Sequence, residues 1–299
     1  MPFASANGMQ LAYDVRGDAG APGIVLIMGL GTQMIAWPDP FCDALATRGF
    51  RVARFDNRDI GLSTKVESAG AANMAQAFQQ AMAGKPVDAP YTLVDMAGDT
   101  VGVIDALGIE KAHVVGASMG GMIAQIVAAT HPNRVRSLVS IMSTSGARGL
   151  PQAAPAAAAA LFGPRPAQGD REAAIRHGMN VLRTIGSPGY PQSDAELRAK
   201  VERAFDRAYY PAGVARHFLA VLSDGSRVAR LKTIAVPTLV IHGADDPLVP
   251  LECGKDTARH IPGATLKIIP GMGHDLAPGL VPTLVDLIAA HCSRADGRG

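Results

Sequence analysis

A serine hydroxyl is a poor nucleophile at neutral pH. To attack a carbonyl carbon it needs an adjacent base, and that base needs a third group to orient it. One serine of this chain stands where such chemistry is built. Residues 112–121 read A-H-V-V-G-A-S-M-G-G, and Gly116, Ser118 and Gly120 fit G-x-S-x-G. That is the nucleophile elbow, a strained strand-to-helix turn that holds the serine hydroxyl clear of the backbone. The flanks meet the motif's demands, with a short apolar run at 113–115 before it and helical spacing over 122–129 after it. Side chains beside such a turn would collide with the neighbouring strand and helix, which gives the glycines a physical reason. The plainer reading is a glycine-rich turn whose serine merely caps the helix.

The partners must follow in order. On an elbow of this kind the acid and then the histidine come later in the chain, each on a loop beyond the carboxyl end of a strand. Two loops qualify. G-A-D-D-P-L-V-P follows an apolar run at 237–242, and P-G-M-G-H-D follows another at 265–269. Of the eight histidines, His113, His131, His177, His217 and His242 precede the acid loop and are excluded by order. His260 and His291 fall near the ends of expected helices, where the dipole stabilises an imidazolium without catalysis. His274 alone lies on a glycine-rich loop after a strand. Asp245 and Asp246 are adjacent, and periodicity does not choose between them; the other duty open to either is an Asx turn. An oxyanion also needs N–H donors. One is Met119, the residue after the nucleophile, and the other is Leu30 in Gly29-Leu30-Gly31, the loop after an early strand. That loop has neither G-x-G-x-x-G nor G-K-[ST], which disfavours a nucleotide phosphate site.

The elements that would position these groups read as a parallel α/β sheet, strands alternating with helices. Short segments at 3–6 and 11–16 flank Asn7-Gly8, a hairpin signal. The run at 23–28 has the β-branched character of a strand covered on both faces. Residues 37–48 have helical spacing, 50–55 read as a strand, 91–107 as a helix and 134–142 as a strand. Asp56-Asn57-Arg58-Asp59 reads as a structural network of charge-assisted hydrogen bonds near the oxyanion loop, and Trp37 as core packing. Between these lies an excursion at 65–91, with a helical piece at 71–83 broken by Pro86 and Pro90. From 146 to about 230 the composition shifts to alanine and proline, with Pro151, Pro155, Pro164 and Pro166, then polar helical stretches at 170–185 and 194–208. A segment that long is a helical insertion and not a loop. Helices at 251–260 and 280–291 close the pattern, and 292–299 read as a frayed polar tail.

Composition narrows the class. With 299 residues, 48% hydrophobic and 18% charged, the chain can bury a large core, and a net charge of +2 gives no reason to expect nucleic acid or an anionic membrane. No signal-peptide pattern or apolar run of spanning length is present, so the default expectation is a cytoplasmic protein. Cys42, Cys253 and Cys292 lack metal-ligand spacing and read as reduced thiols.

Taken together, M-G-L-G, W-P-D-P-F, F-D-N-R-D-I-G-L-S-T, H-V-V-G-A-S-M-G-G, G-A-D-D-P-L-V-P and G-M-G-H resemble an α/β-hydrolase. More narrowly, M-G, then W-P-D, then D-x-R-D-x-G-x-S-T is similar to the aclacinomycin methylesterase type. The resemblance implies the α/β-hydrolase fold, a mostly parallel central sheet flanked by helices with a helical cap. Residues 1–145 and 231–299 would form the core and 146–230 the cap. It implies a Ser-Asp-His triad of Ser118, Asp246 and His274, Asp246 being selected by the Asp-x-x-Val-Pro spacing of many related hydrolases and Asp245 standing as runner-up. The expected activity is hydrolysis of a small-molecule carboxylic ester through an acyl-enzyme, with no cofactor or metal. C–C bond hydrolysis, lactone opening and cofactor-free perhydrolysis are alternatives on the same residues, and a non-catalytic ligand receptor is an alternative of another class. One departure stands out: many relatives have His-Gly where this chain has Met28-Gly29, which removes a side chain that often braces the oxyanion loop.

Overall fold

A computed structural model describes residues 1–70, 73–163, 166 and 169–298. In chain order its regular elements are β1 (Phe3–Ala6), β2 (Met9–Arg16), β3 (Gly23–Ile27), α1 (Asp39–Thr47), β4 (Arg51–Phe55), α2 (Met74–Met82), α3 (Leu93–Ala106), β5 (Ala112–Ala117), α4 (Met119–Thr130) and β6 (Val135–Ile141). There follow α5 (Pro155–Phe162), α6 (Arg171–Ile185), α7 (Asp194–Arg207), α8 (Pro211–Asp224), α9 (Val228–Leu231), β7 (Thr238–Gly243), α10 (Leu251–His260), β8 (Thr265–Ile269) and α11 (Val281–Ala295). The eight strands form one sheet in the order β1-β2-β4-β3-β5-β6-β7-β8. β1 and β2 pair antiparallel through the two-residue turn Asn7-Gly8, β2 pairs antiparallel with β4, and the remaining pairs are parallel.

The continuous apolar runs are explained by two cores. Val25 and Ile27 of β3 face a core with α3 and α4, whereas Ile24 and Leu26 face one with α1 and α11. A strand alternates its side chains between faces, so a central strand with a core on each side must be apolar throughout. Helix starts follow local chemistry. Tyr91 and Thr92 precede α3, and the Thr92 and Asp95 side chains cap its first turn reciprocally; Pro38 is the N-cap of α1, which starts at Asp39, two residues later than the helical spacing suggests.

Three expectations change. The excursion carries α2, but positions 71 and 72 of the helical piece expected there lie outside the described residues, as does Pro164 in the insertion. The insertion holds α8 and α9 as well as the helices expected at 170–185 and 194–208. α8 escapes a periodicity reading because Arg216 and His217, in its middle, are buried polar residues on the face that packs inward. The tail is not frayed at 292–295: α11 runs to Ala295, Cys292 is buried, and Asp296 lies 3.2 Å from both His113 Nε2 and Arg136. His291 is therefore buried inside the helix, where burial lowers its pKa and favours the neutral ring over a dipole-stabilised cation. Gly299 lies outside the described residues.

Candidate active site

The turn after β5 is steep because its glycines let three backbones meet. A Cβ on Gly116 would lie 2.0 Å from Gly120 O, and one on Gly120 would lie 2.1 Å from Ile27 O. Ser118 adopts φ 57° and ψ −121°, a conformation that costs an L-residue on the order of 1–3 kcal/mol. Its backbone holds the turn: Ser118 N–H donates to Ile141 O at 2.9 Å, and Ser118 O accepts from Gly121 N–H at 2.9 Å and from Ser143 Oγ at 2.8 Å. Although Ser118 precedes α4, its side chain makes no capping bond. The plainer reading of a capping serine is thereby excluded. Its Oγ instead lies 2.9 Å from His274 Nε2.

The same imidazole reaches the acid. His274 Nδ1 is 2.7 Å from Asp246 Oδ2, and the other carboxylate oxygen accepts from Leu248 N–H at 2.9 Å and Val249 N–H at 2.8 Å. A carboxylate only accepts, so Nδ1 carries the proton and Nε2 is left to accept from the serine hydroxyl. Asp246 and His274 are buried and Ser118 is half-buried. Asp245 is exposed and points elsewhere, its Oδ2 accepting from Gly271 N–H at 2.8 Å and so tying the acid loop to the histidine loop. The helical insertion supports the histidine loop too: His274 N–H donates to Ile185 O at 2.7 Å, and Gly273 N–H to Ser187 Oγ at 2.9 Å.

Gly29 presses on the serine, since a Cβ there would lie 3.1 Å from Ser118 Cβ. Leu30 follows Gly29 directly, and Met119 follows Ser118 as the first residue of α4. Among the described residues no protein acceptor engages either N–H. The loop is braced by groups other than the missing histidine. Asn57 Nδ2 donates to Met28 O at 2.9 Å, Asp56 accepts from Met34 N–H at 2.8 Å, and His217 Nδ1 accepts from Gly31 N–H at 3.2 Å. His217 is excluded as the catalytic base by chain order, and no local motif marks its contact with Gly31.

The charged network around Asp56 to Asp59 has the structural character read from the sequence. Arg58 is bound to Asp99 by two contacts of 2.6 Å, and Asp59 to Arg216 at 2.8 and 2.9 Å and to Tyr91 OH at 2.7 Å. Arg207 of α7 reaches Asp56 at 2.7 Å and Gln33 at 2.6 Å, fastening the insertion to the segment that follows β3.

Burial holds His217 down to about 4, against an ordinary 6.5, with Arg58, Asp59, Arg216 and Tyr91 around it. The folded pKa lies below the unfolded one, so unfolding binds a proton between them. Stability from this residue is complete above about pH 6.5 and is lost as pH falls toward 4. At pH 5 the loss is about 2 kcal/mol relative to pH 7.5. Urea titrations at both pH values should therefore show wild-type protein losing about 2 kcal/mol more than His217→Gln; equal losses would contradict a buried neutral ring.

The family described as the alpha/beta hydrolase fold matches residues 22–277. Rhodomycin D methylesterase DnrP of Streptomyces peucetius is 28% identical, over 93% of this chain and 93% of that protein. The 2-hydroxy-6-oxononadienedioate/2-hydroxy-6-oxononatrienedioate hydrolase of Cupriavidus pinatubonensis (strain JMP 134 / LMG 1197) is 27% identical, over 86% of this chain and 81% of that one. Among solved structures, the enol-lactonase from Burkholderia xenovorans LB400 superposes with a TM-score of 0.74 at 24% identity, covering 98% of this chain and all of that one (100%), a likeness of fold. No described helix is long and apolar enough to cross a membrane.

Proposed function

The chain belongs to the alpha/beta hydrolase fold family, and from that premise we propose that it is a serine hydrolase cleaving a small-molecule carboxylic ester through an acyl-enzyme. One observation carries the reading. A serine held at φ 57° and free of capping duty lies in a continuous run of hydrogen bonds through His274 to a buried carboxylate, Asp246. Ser118 Oγ attacks the ester carbonyl carbon as its proton passes to His274 Nε2. The oxyanion that forms is held by the Leu30 and Met119 N–H groups, helped by the positive end of α4. The tetrahedral adduct collapses, and the Nε2 proton leaves with the alcohol. Water, deprotonated by the same nitrogen, then releases the acid and returns the proton to Ser118. Asp246 holds the imidazole in its Nδ1–H tautomer throughout. Residues 146–230 act as a cap over the site and choose the substrate, residues 1–145 and 231–299 supplying the core.

Similarity to a rhodomycin D methylesterase along nearly the whole chain favours a methyl ester. C–C bond hydrolysis on the same residues is the second reading, favoured by the relationship to the 2-hydroxy-6-oxononadienedioate hydrolase. Stopped-flow mixing with p-nitrophenyl acetate tests the common step. A burst of p-nitrophenol approaching one equivalent per chain, followed by slower steady release, is the expected trace; release no faster than in buffer would sink the proposal. A panel of methyl, ethyl and butyl esters of one acid then tests the substrate class, with kcat/KM expected to be highest for the methyl ester.

A further inference from the structure

An N–H donor stabilises an oxyanion only if it is held in place, and a misplacement of about 1 Å can cost on the order of a hundredfold in rate. Met119 is secured by the first turn of α4. Leu30 lies in M-G-L-G-T, a loop with two glycines, and the histidine that often braces it in relatives is absent. We propose that His217 of α8 is the positioning residue that fixes the Leu30–Gly31 peptide and so aims the Leu30 N–H; the inference rests on the ester-hydrolase reading of Ser118.

Both ring nitrogens meet backbone groups of opposite kind. Nδ1 lies 3.2 Å from Gly31 N, which can only donate, and Nε2 lies 2.7 Å from Arg58 O, which can only accept. One state satisfies both, the neutral ring protonated at Nε2. The other end of the same peptide is held as well, because Leu30 O accepts from Thr32 Oγ1 at 3.0 Å. The peptide that follows Leu30 is thus pinned at its N–H and its C=O. Upstream, Met28 O is held by Asn57, and Gly29 rests on Ser118.

The ring has a rigid seat. Arg58, whose carbonyl it grips, is fixed by Asp99, and Arg216, the preceding residue of α8, is fixed by Asp59. Helix and loops approach closely: a Cβ on Gly213 would lie 2.2 Å from Asp59 O, and one on Gly31 would lie 2.7 Å from Val214 Cγ1. A ring that only filled space would need neither nitrogen matched. The helical insertion therefore sets the geometry of the oxyanion site through this side chain.

The tautomer is read in wild-type protein by 15N NMR of the imidazole. Protonation at Nε2 is expected, and protonation at Nδ1 would overturn the proposal even if every variant failed to fold. Two variants then separate the bonds. His217→Asn sets an amide oxygen near the Nδ1 position and can still accept from Gly31, whereas His217→Gln reaches the Nε2 position and serves Arg58 instead. With p-nitrophenyl butyrate, His217→Gln should lose about 10- to 100-fold in kcat with KM changed less than about threefold, and His217→Asn should stay within about fivefold of wild type. Each variant gives up one of the two ring hydrogen bonds, so a merely structural role predicts similar losses of rate. Equal rates, or a loss confined to KM, would refute positioning. Wild-type protein that turns over no ester would instead remove the reading on which the inference rests.

Discussion

Replacing Ser118 with alanine is expected to lower kcat for p-nitrophenyl acetate roughly ten-thousandfold to a millionfold, leaving only what binding and the oxyanion donors supply. The substitution deletes a single oxygen. Alanine meets the same strain at φ 57° as serine, and no capping bond is lost because Ser118 makes none. The backbone bonds from Ser118 N–H to Ile141 O and from Gly121 N–H to Ser118 O do not involve the side chain. The variant should therefore melt within about 1 kcal/mol of wild type, so lost activity reports chemistry and not unfolding. A folded Ser118→Ala protein retaining more than about a hundredth of wild-type kcat would remove Ser118 from the role of nucleophile.

Asp246→Asn should cost about ten-thousandfold in kcat with little change in KM. Asparagine keeps the shape, and its amide oxygen can still accept from Leu248 and Val249, as the Asp246 carboxylate does at 2.9 and 2.8 Å. The amide nitrogen must then face His274 Nδ1, where the carboxylate oxygen now lies at 2.7 Å. A donor facing Nδ1 moves the ring proton to Nε2, and Nε2 can no longer accept from Ser118. Asp245→Asn provides the control. That carboxylate accepts only from Gly271 N–H among the described residues, so kcat should stay within about fivefold of wild type. If the two substitutions exchanged their effects, Asp245 would be the orienting acid.

The fold was legible where local pattern and tertiary role agree. The β3 run is apolar at every position because each face of the strand meets a core, and Asn7-Gly8 specifies a two-residue turn that the pairing of Ala6 with Met9 displays. It was illegible where burial and polarity part company. α8 hides Arg216 and His217 in its packed face, and α11 continues past His291 because Cys292 is buried and Asp296 finds His113. In the candidate site, Ser118 and His274 stand out in the sequence because each sits on a loop with distinctive glycine spacing. Asp246 and Asp245 are neighbours whose side chains diverge by geometry that periodicity does not encode. His217 lies 186 residues from Gly31, the amide it accepts from, and no spacing rule reaches so far.

The central claim is that Ser118 is activated by His274, and covalent labelling tests it most directly. Wild-type protein treated with a fluorophosphonate and digested should carry the phosphonyl mass on the peptide containing Ser118, at one equivalent per chain. Labelling should slow by at least a thousandfold in His274→Ala. A wild-type chain that takes no label, or takes it on another residue, would contradict the account.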